Sequence, residues 1–266
     1  MSQTVPRALT IAGSDSGGGA GIQADLKTFT ALGVYGMSAI TSVTAQNTQG
    51  VQEIFNLPPE LVEQQMDSVL SDIGVDAVKI GMLSTKEIIL AVSKKITEFD
   101  LKNLVLDPVM IAKGGEDLLQ KEAEQTLIDE LLPNTYLLTP NNPEAGVLCG
   151  IEINSIDDMK EAAKSIKALG PQNVLIKGGH LDPSQNAVDI LYDGKEFYEF
   201  KSERINTKNT HGTGCTYSAA ICAGLAKGLS LVEAIAGAKE YINLAIKNSF
   251  EIGSGHGPLN HFWKIL

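Results

Sequence analysis

The sequence predicts an α/β fold: one mostly parallel sheet, buried in the middle, with helices packed on both of its faces. Two patterns predict it. Apolar runs three to six residues long alternate with amphipathic stretches of ten or more, and such alternation is the signature of strand–helix–strand units. The apolar runs also lack the in–out alternation of a half-exposed strand, as expected for strands covered on both faces.

Arg7–Ile11 reads as the first strand, followed by a glycine-rich turn and a helix near Gly21–Leu32. Ser38–Val43 is the second strand. Pro59–Leu70 is helical, because Leu61, Val62, Met66, Val69 and Leu70 recur at helix spacing. Ala77–Ile80 is a strand and Thr85–Phe99 a helix. Leu104–Leu106 is a buried strand closed by Asp107-Pro108, and Leu118–Leu132 the next helix. Tyr136–Leu138 is a strand ending at Thr139-Pro140. Ser155–Leu169 is a helix running into Gly170-Pro171, and Val174–Ile176 a strand ending at Lys177. Val188–Phe200 reads as a hairpin turning at Asp193-Gly194. Two helices close the chain, Gly214–Lys227 and Ser230–Ser249. With no linker, repeat or charge block, residues 1–266 are expected to form one domain.

With 43% hydrophobic and 20% charged residues among 266, a sizeable core is expected. The net charge of −11 argues against nucleic acid as a partner, since a phosphate backbone needs a basic surface. It leaves a nucleotide open, because backbone N–H groups, one lysine and a magnesium ion can build that site locally. Cys149, Cys215 and Cys222 form no disulfide framework and no zinc motif. No long apolar run predicts a membrane span and Met1–Arg7 has no signal-peptide character, so a reducing cytoplasm is the expected setting.

In a doubly covered sheet, ligands sit beyond the carboxyl ends of the strands. Gly13–Asp15, Gln46, Asp107, Asn141 and Lys177 all fall there. The loop Gly13-Ser-Asp-Ser-Gly-Gly-Gly-Ala-Gly21 lets backbone approach a ligand closely, or simply makes a tight turn. It lacks the lysine of a P-loop. Gly19-Ala-Gly21-Ile-Gln-Ala24 fits a dinucleotide pattern, but Thr44, Ala45 and Gln46 stand where a ribose-binding acid would end the second strand.

In the segment Asn206–Cys215, Gly212 and Gly214 leave backbone bare at a helix start, a geometry suited to charge developing on a phosphoryl group. Cys215 would sit in the first turn, where the helix field lowers a thiol pKa and opens a general-base role. The other reading is a small packed cysteine, as expected for Cys149 and Cys222. Asn141 and Glu144 are three apart at a helix start, either around Mg²⁺ and phosphate or as a cap. Asp107 is a metal or phosphate-site acid or a cap, and Lys177 a phosphate contact or a solvated side chain.

Taken together, these segments resemble one branch of the ribokinase superfamily, the hydroxymethylpyrimidine/phosphomethylpyrimidine kinases. The resemblance is carried by Leu9–Lys27, Ala45–Thr48, Lys79–Leu83, Leu106–Met110, Thr139–Ala145, Lys177–His180, Asn209–Thr216 and the ending Gly255–Phe262. It implies a ribokinase-like three-layer sandwich without a large lid, with at most a small flap at Thr48–Asn56. It implies ATP and Mg²⁺, an aminopyrimidine alcohol and then its monophosphate as small-molecule acceptors, and a homodimer. By the same resemblance Gly13 (main chain), Asp25 and Gln46 hydrogen-bond the pyrimidine, while Met82 and Val109 line its faces. Asn141 and Glu144 match an NxxE motif for metal and phosphate, with Asp107 nearby. Lys177, Thr210 and His211 are expected at the nucleotide. Gly212, Thr213, Gly214 and Cys215 match the anion hole, with Cys215 in place of the superfamily's usual aspartate base. A pyridoxine-type acceptor is the nearest alternative.

Overall fold

The computed structural model describes residues 5–111, 115–116, 118–179 and 186–264. Among them, nine strands form one sheet: β1 (Arg7–Asp15), β2 (Tyr35–Asn47), β3 (Gly50–Asn56), β4 (Ala77–Ile80), β5 (Leu104–Leu106), β6 (Leu137–Leu138), β7 (Asn173–Ile176), β8 (Ala187–Tyr192) and β9 (Phe197–Ser202). Their order is β3-β2-β1-β4-β5-β6-β7-β8-β9. The run from β2 to β7 is parallel; β3, β8 and β9 are antiparallel additions at the two edges.

The helices are α1 (Gly21–Ala31), α2 (Pro59–Asp72), α3 (Lys86–Glu98), α4 (Lys121–Thr126), α5 (Asn142–Cys149), α6 (Ile156–Lys167), α7 (Thr213–Ala226) and α8 (Leu231–Lys247). Successive strand residues point to opposite faces, and each face has its own core. Leu9, Ile11, Val78, Ile80 and Leu104 pack with α2, α3 and α6 through Met66, Ile89 and Ile166. Ala8, Ala77, Val105 and Leu175 pack with α1, α7 and α8 through Phe29, Ile221 and Ile242. Helix α7 is buried along nearly its whole length, wedged between sheet and α8. The expected three-layer sandwich is what forms.

Four elements differ from expectation. β1 continues to Asp15, so Gly13–Asp15 lie in the strand. β2 runs on through its polar end to Asn47 because β3 pairs with it, Ser42 opposite Asn56 and Asn47 opposite Gly50. The expected flap at Thr48–Asn56 is therefore a turn and an edge strand. The helix expected from Leu118 starts at Lys121, then widens into a π turn over Leu127–Leu131 and tightens into a 3₁₀ turn, Leu132–Asn134, that holds Pro133. Beyond the start at Asn141, the sequence reading left α5 unassigned; the structure carries it to Cys149 and closes it on Gly150 in the left-handed region.

Candidate active site

The carboxyl ends of the parallel strands open into a cavity of about 750 Å³, a volume suited to a nucleotide-sized ligand with a small partner. Its lining comes from β1, β2, β4, β8 and β9 and from the segments that follow β5, β6 and β7, so strand order gives order along the cavity: β2 and β1 at one end, β5 to β7 in the middle, β8 and β9 at the other. All the residues singled out in the sequence line it except Asp25. His180, part of the Lys177–His180 motif, lies outside the described residues.

At the β1–β2 end, Asp15 organises the glycine loop. Its carboxylate accepts from the N–H groups of Gly17, Gly19 and Ala20 at 2.8, 3.0 and 2.8 Å, and from His211 Nε2 at 2.9 Å. Burial opposes the charge, but the His211 and Ala20 hydrogen bonds outweigh it and hold the Asp15 carboxyl below its ordinary pKa. Gly21 has φ +55°, and a Cβ there would run into the Gly13 carbonyl, so only glycine turns the chain this tightly. Gln46 is fixed by its main chain, which donates to Ser16 Oγ at 2.8 Å. Its amide nitrogen lies 3.4 Å from His211 Nε2. His211, expected beside the nucleotide, therefore stands beside Gln46 and Asp15. The reason is the C-terminal tail: the His211 N–H donates to the Gly257 carbonyl at 3.1 Å and fixes the direction of the segment.

Asp25 is a correction. It is fully buried behind the cavity wall, where its Oδ2 accepts from Lys79 Nζ at 2.8 Å and from Thr10 Oγ1 at 2.6 Å. Lys79 faces the cavity in its place. Burial disfavours the ammonium, but Asp25, Cys215 and Asp107 together keep the Lys79 pKa above its ordinary value. A lysine inside the apolar strand Ala77-Val-Lys-Ile80 was a legible signal that the sequence reading passed over.

In the middle, Lys177 Nζ donates to Asp107 Oδ1 at 2.6 Å. Asp107 also accepts from Thr139 and Ser218, each at 3.3 Å. Asn141 and Glu144 form a reciprocal capping box: Glu144 N–H to Asn141 Oδ1 at 2.9 Å, and Asn141 N–H to Glu144 Oε2 at 2.8 Å. The cap is thus real, and the same carboxylate reaches the cavity. Burial pushes the Glu144 carboxyl up to about 7, against the pull of Lys177. Gly212, in the left-handed region at φ +80°, starts α7, and Thr213, Gly214 and Cys215 form its first turn.

Cys215, expected as a general base, is half-buried and lines the cavity. Burial pushes its thiol up to about 11, with Lys79 pulling the other way. The helix start was expected to activate this thiol; burial works in the opposite direction.

The β8–β9 end was not read from the sequence. Asp189, in the third position of β8, accepts from Lys239 Nζ of α8 at 2.6 Å and from the Gly178 N–H at 3.0 Å. Tyr217, Ser202, Ile205, Ile242 and Ile246 complete this end. A carboxylate inside the strand Ala187-Val-Asp-Ile-Leu-Tyr192 was the available clue.

Comparison with known proteins places this geometry. Residues 15–260 match the family model described as phosphomethylpyrimidine kinase. The hydroxymethylpyrimidine/phosphomethylpyrimidine kinase of Bacillus subtilis is 51% identical over 259 residues, 97% of this chain and 96% of that protein. The thiamine biosynthesis bifunctional protein of Geobacter sulfurreducens is 54% identical over 253 residues, 95% of this chain; the chain spans 51% of that longer protein. The crystal structure of an ADP complex of Bacillus subtilis pyridoxal kinase superposes with a TM-score of 0.89 at 47% identity, covering 97% of this chain and 98% of that one. A ribokinase-like sandwich with a sheet-wide cavity, matched in sequence from the glycine loop to the C-terminal tail, makes this chain a member of the phosphomethylpyrimidine kinase family.

Proposed function

We propose that this protein is an ATP-dependent phosphotransferase of thiamin biosynthesis. It phosphorylates 4-amino-5-hydroxymethyl-2-methylpyrimidine and then converts the monophosphate to the diphosphate. The observation that carries the reading is the order of groups along the cavity. A hydrogen-bonding amide, Gln46, stands at one end, backed by the Gly13 main chain and by Met82 and Val109. The bare N–H groups of Gly212–Cys215 and Lys177 follow, and an apolar slot lies beyond.

An aminopyrimidine offers a donor and an acceptor along one edge, which an amide can meet together. The acceptor oxygen bonds to the γ-phosphorus as the bond to the ADP oxygen breaks, and the proton of the alcohol passes to a phosphoryl oxygen of the products. Lys177 and the first-turn N–H groups face the charge that spreads over the phosphoryl oxygens. Such a transition state is loose and asks little of a base, which fits a protonated Cys215.

Glu144 and Asp107 suit Mg²⁺ as donors: two buried carboxylates at the cavity, Asp107 paired with Lys177 and Glu144 held by the Asn141 main chain. A magnesium ion held there would neutralise phosphate charge. The working setting is the cytoplasm, the folded unit is one domain, and the assembly is a homodimer.

The pyridoxal kinase likeness supports a second reading, a pyridoxine-type acceptor. The test is ADP release with the aminopyrimidine alcohol, its monophosphate and pyridoxal in parallel. Turnover of both aminopyrimidines well above pyridoxal is expected; preference for pyridoxal would overturn the first reading for the second. Gln46→Ala should raise KM for the aminopyrimidine by roughly ten- to a hundredfold through loss of a buried amide pair, with KM for ATP little changed. An unchanged acceptor KM would remove Gln46 from the acceptor site.

A further inference from the structure

The proposed reaction sets one cavity two tasks of different charge. The first acceptor is a neutral alcohol. The second is a phosphate monoester, which carries about two negative charges at neutral pH. That anion must enter a space already lined by Asp107 and Glu144, and a charge taken out of water needs a partner. Among the described residues, the lysines and arginines that line the cavity are Lys79, Lys177, Arg204 and Lys239. Lys177 stands in the middle, paired with Asp107 at 2.6 Å. Lys239 and Arg204 stand toward the β8–β9 end, on Asp189 and on the Gly179 carbonyl. Lys79 belongs to β4, which lies between β1, the strand of Gly13, and β5, which Asp107 follows. It is the lysine placed between the acceptor groups and the phosphoryl centre.

Lys79 reaches that junction from inside the sheet. Its backbone is in register with Thr10 of β1 and Val105 of β5, and the side chain is fully buried. A Cβ on Gly81, the first residue past β4, would stand 2.8 Å from Lys79 Nζ. The ammonium has therefore climbed to the carboxyl end of the strand, where glycine leaves it room. There Cys215 and Asp107 lie close enough to favour its charge. Among the described residues it donates once, to Asp25 Oδ2 at 2.8 Å, and an ammonium has three donors. Asp25 keeps both of its hydrogen bonds on that one oxygen; Oδ1 is buried and makes none. A fully buried ion pair of this kind gives little net stability over apolar side chains of similar volume, so its place at the cavity wall points to use. We propose that Lys79 is the residue that admits the second acceptor: its ammonium receives the phosphate of the aminopyrimidine monophosphate, and Asp25 holds that ammonium in position. In that step an oxygen of the acceptor phosphate bonds to the γ-phosphorus as the bond to the ADP oxygen breaks. The acceptor is already dianionic, so no proton has to leave. The inference rests on the kinase reading and names the group that lets one cavity serve both of its acceptors.

The test compares the two steps, because a merely structural role would weaken both alike. Lys79→Met alone strands a buried carboxylate, so it is paired with a double variant, Lys79→Met with Asp25→Asn, that removes both charges together. Steady-state kinetics with ATP and Mg²⁺ would be measured separately on purified aminopyrimidine alcohol and on its monophosphate. In the double variant kcat/KM should fall roughly ten- to a hundredfold further for the monophosphate than for the alcohol, the worth of a charge-assisted hydrogen bond. The alcohol should accumulate as its monophosphate, with little diphosphate formed. A parent-like ratio of the two kcat/KM values, or equal losses in both, would overturn the proposal. Where the variants melt below the assay temperature, calorimetry on the parent without nucleotide decides. The monophosphate should bind at least about tenfold more tightly than the alcohol; equal or weaker binding would sink the idea. A parent protein that phosphorylates neither aminopyrimidine would instead defeat the kinase reading itself.

Discussion

At the scale of single residues, the site is governed by competition between burial and partners. Asp15 keeps its charge because three N–H groups and His211 reach it. At Cys215 burial raises the thiol pKa against the pull of the Lys79 ammonium. Cys215→Ala should therefore lower kcat/KM for the alcohol and for the monophosphate by similar factors. A much larger loss with the alcohol would restore Cys215 as a base. Glu144→Gln keeps the shape of the capping box but weakens the site's hold on a cation, so half-maximal activity should need several-fold more Mg²⁺. An unchanged Mg²⁺ dependence would leave Glu144 as a cap alone. His261 is 2% exposed and accepts or donates at 2.9 Å with Thr216. Burial, with Lys27 and His211 nearby, lowers its pKa to about 4. A base with a depressed folded pKa is neutral in the fold and takes up its proton more readily when unfolded. Its contribution is intact above the unfolded value and is lost as pH falls from about 6.5 to about 4, by about 3 kcal/mol. His261→Gln should flatten that part of a stability–pH curve; an unchanged slope would assign the loss to other groups.

At the scale of elements, the C-terminal tail acts as a brace between two parts of the site. The His256 N–H donates to the Thr48 carbonyl at 2.8 Å, and the His211 N–H to the Gly257 carbonyl at 3.1 Å. The β2–β3 turn behind Gln46 and the segment leading into α7 are thereby held to one strip of backbone. A Cβ on Gly255 would collide with the Thr48 carbonyl. Gly255→Val should cost about 1–3 kcal/mol of stability and raise the aminopyrimidine KM more than the ATP KM, measured by melting and by steady-state kinetics. Equal effects on both KM values would make the tail a general support. This brace also shows what was legible in the sequence. The strands Ala77–Ile80 and Leu104–Leu106 and the helices α2 and α3 before and between them followed from period alone, because burial on both faces writes itself as apolar runs. The end of β2 did not, because Thr44–Asn47 is polar and owes its extension to pairing with β3. The role of Lys79, Asp189 and Lys239 did not either: an ion pair between residues 50 or more apart leaves no local pattern, only a charge in an apolar run. The contact of His211 with Asp15 and Gln46 was not legible either, because the sequence shows its neighbours in the chain, not the tail that turns it toward Gln46.

For the molecule as a whole, one sheet sets both the cavity and the outer surface. Because the parallel strands share one carboxyl edge, groups from β2 to β9 face one continuous space, and acceptor and nucleotide can meet in line without a second domain. The same construction leaves β3 at the sheet's border, with no further strand beside it among the described residues. Val43 and Phe55 stand directly opposite each other in the β2–β3 pair and are 46% and 65% exposed; Tyr35 at the start of β2 is 55% exposed. An apolar edge strand invites another chain, and natural proteins cover such edges or charge them. The homodimer proposed above would give this edge a cover, a second copy of itself. A symmetric pair would set each β3 against its partner and bury both Phe55 rings. Light scattering should then report twice the 28.3 kDa chain mass. Phe55→Asp, which places a charge on the edge while leaving the cavity lining intact, should shift the protein to the monomer with little change in aminopyrimidine KM. A Phe55→Asp protein that remains dimeric would place the contact elsewhere, and a parent protein of single-chain mass would remove the dimer altogether.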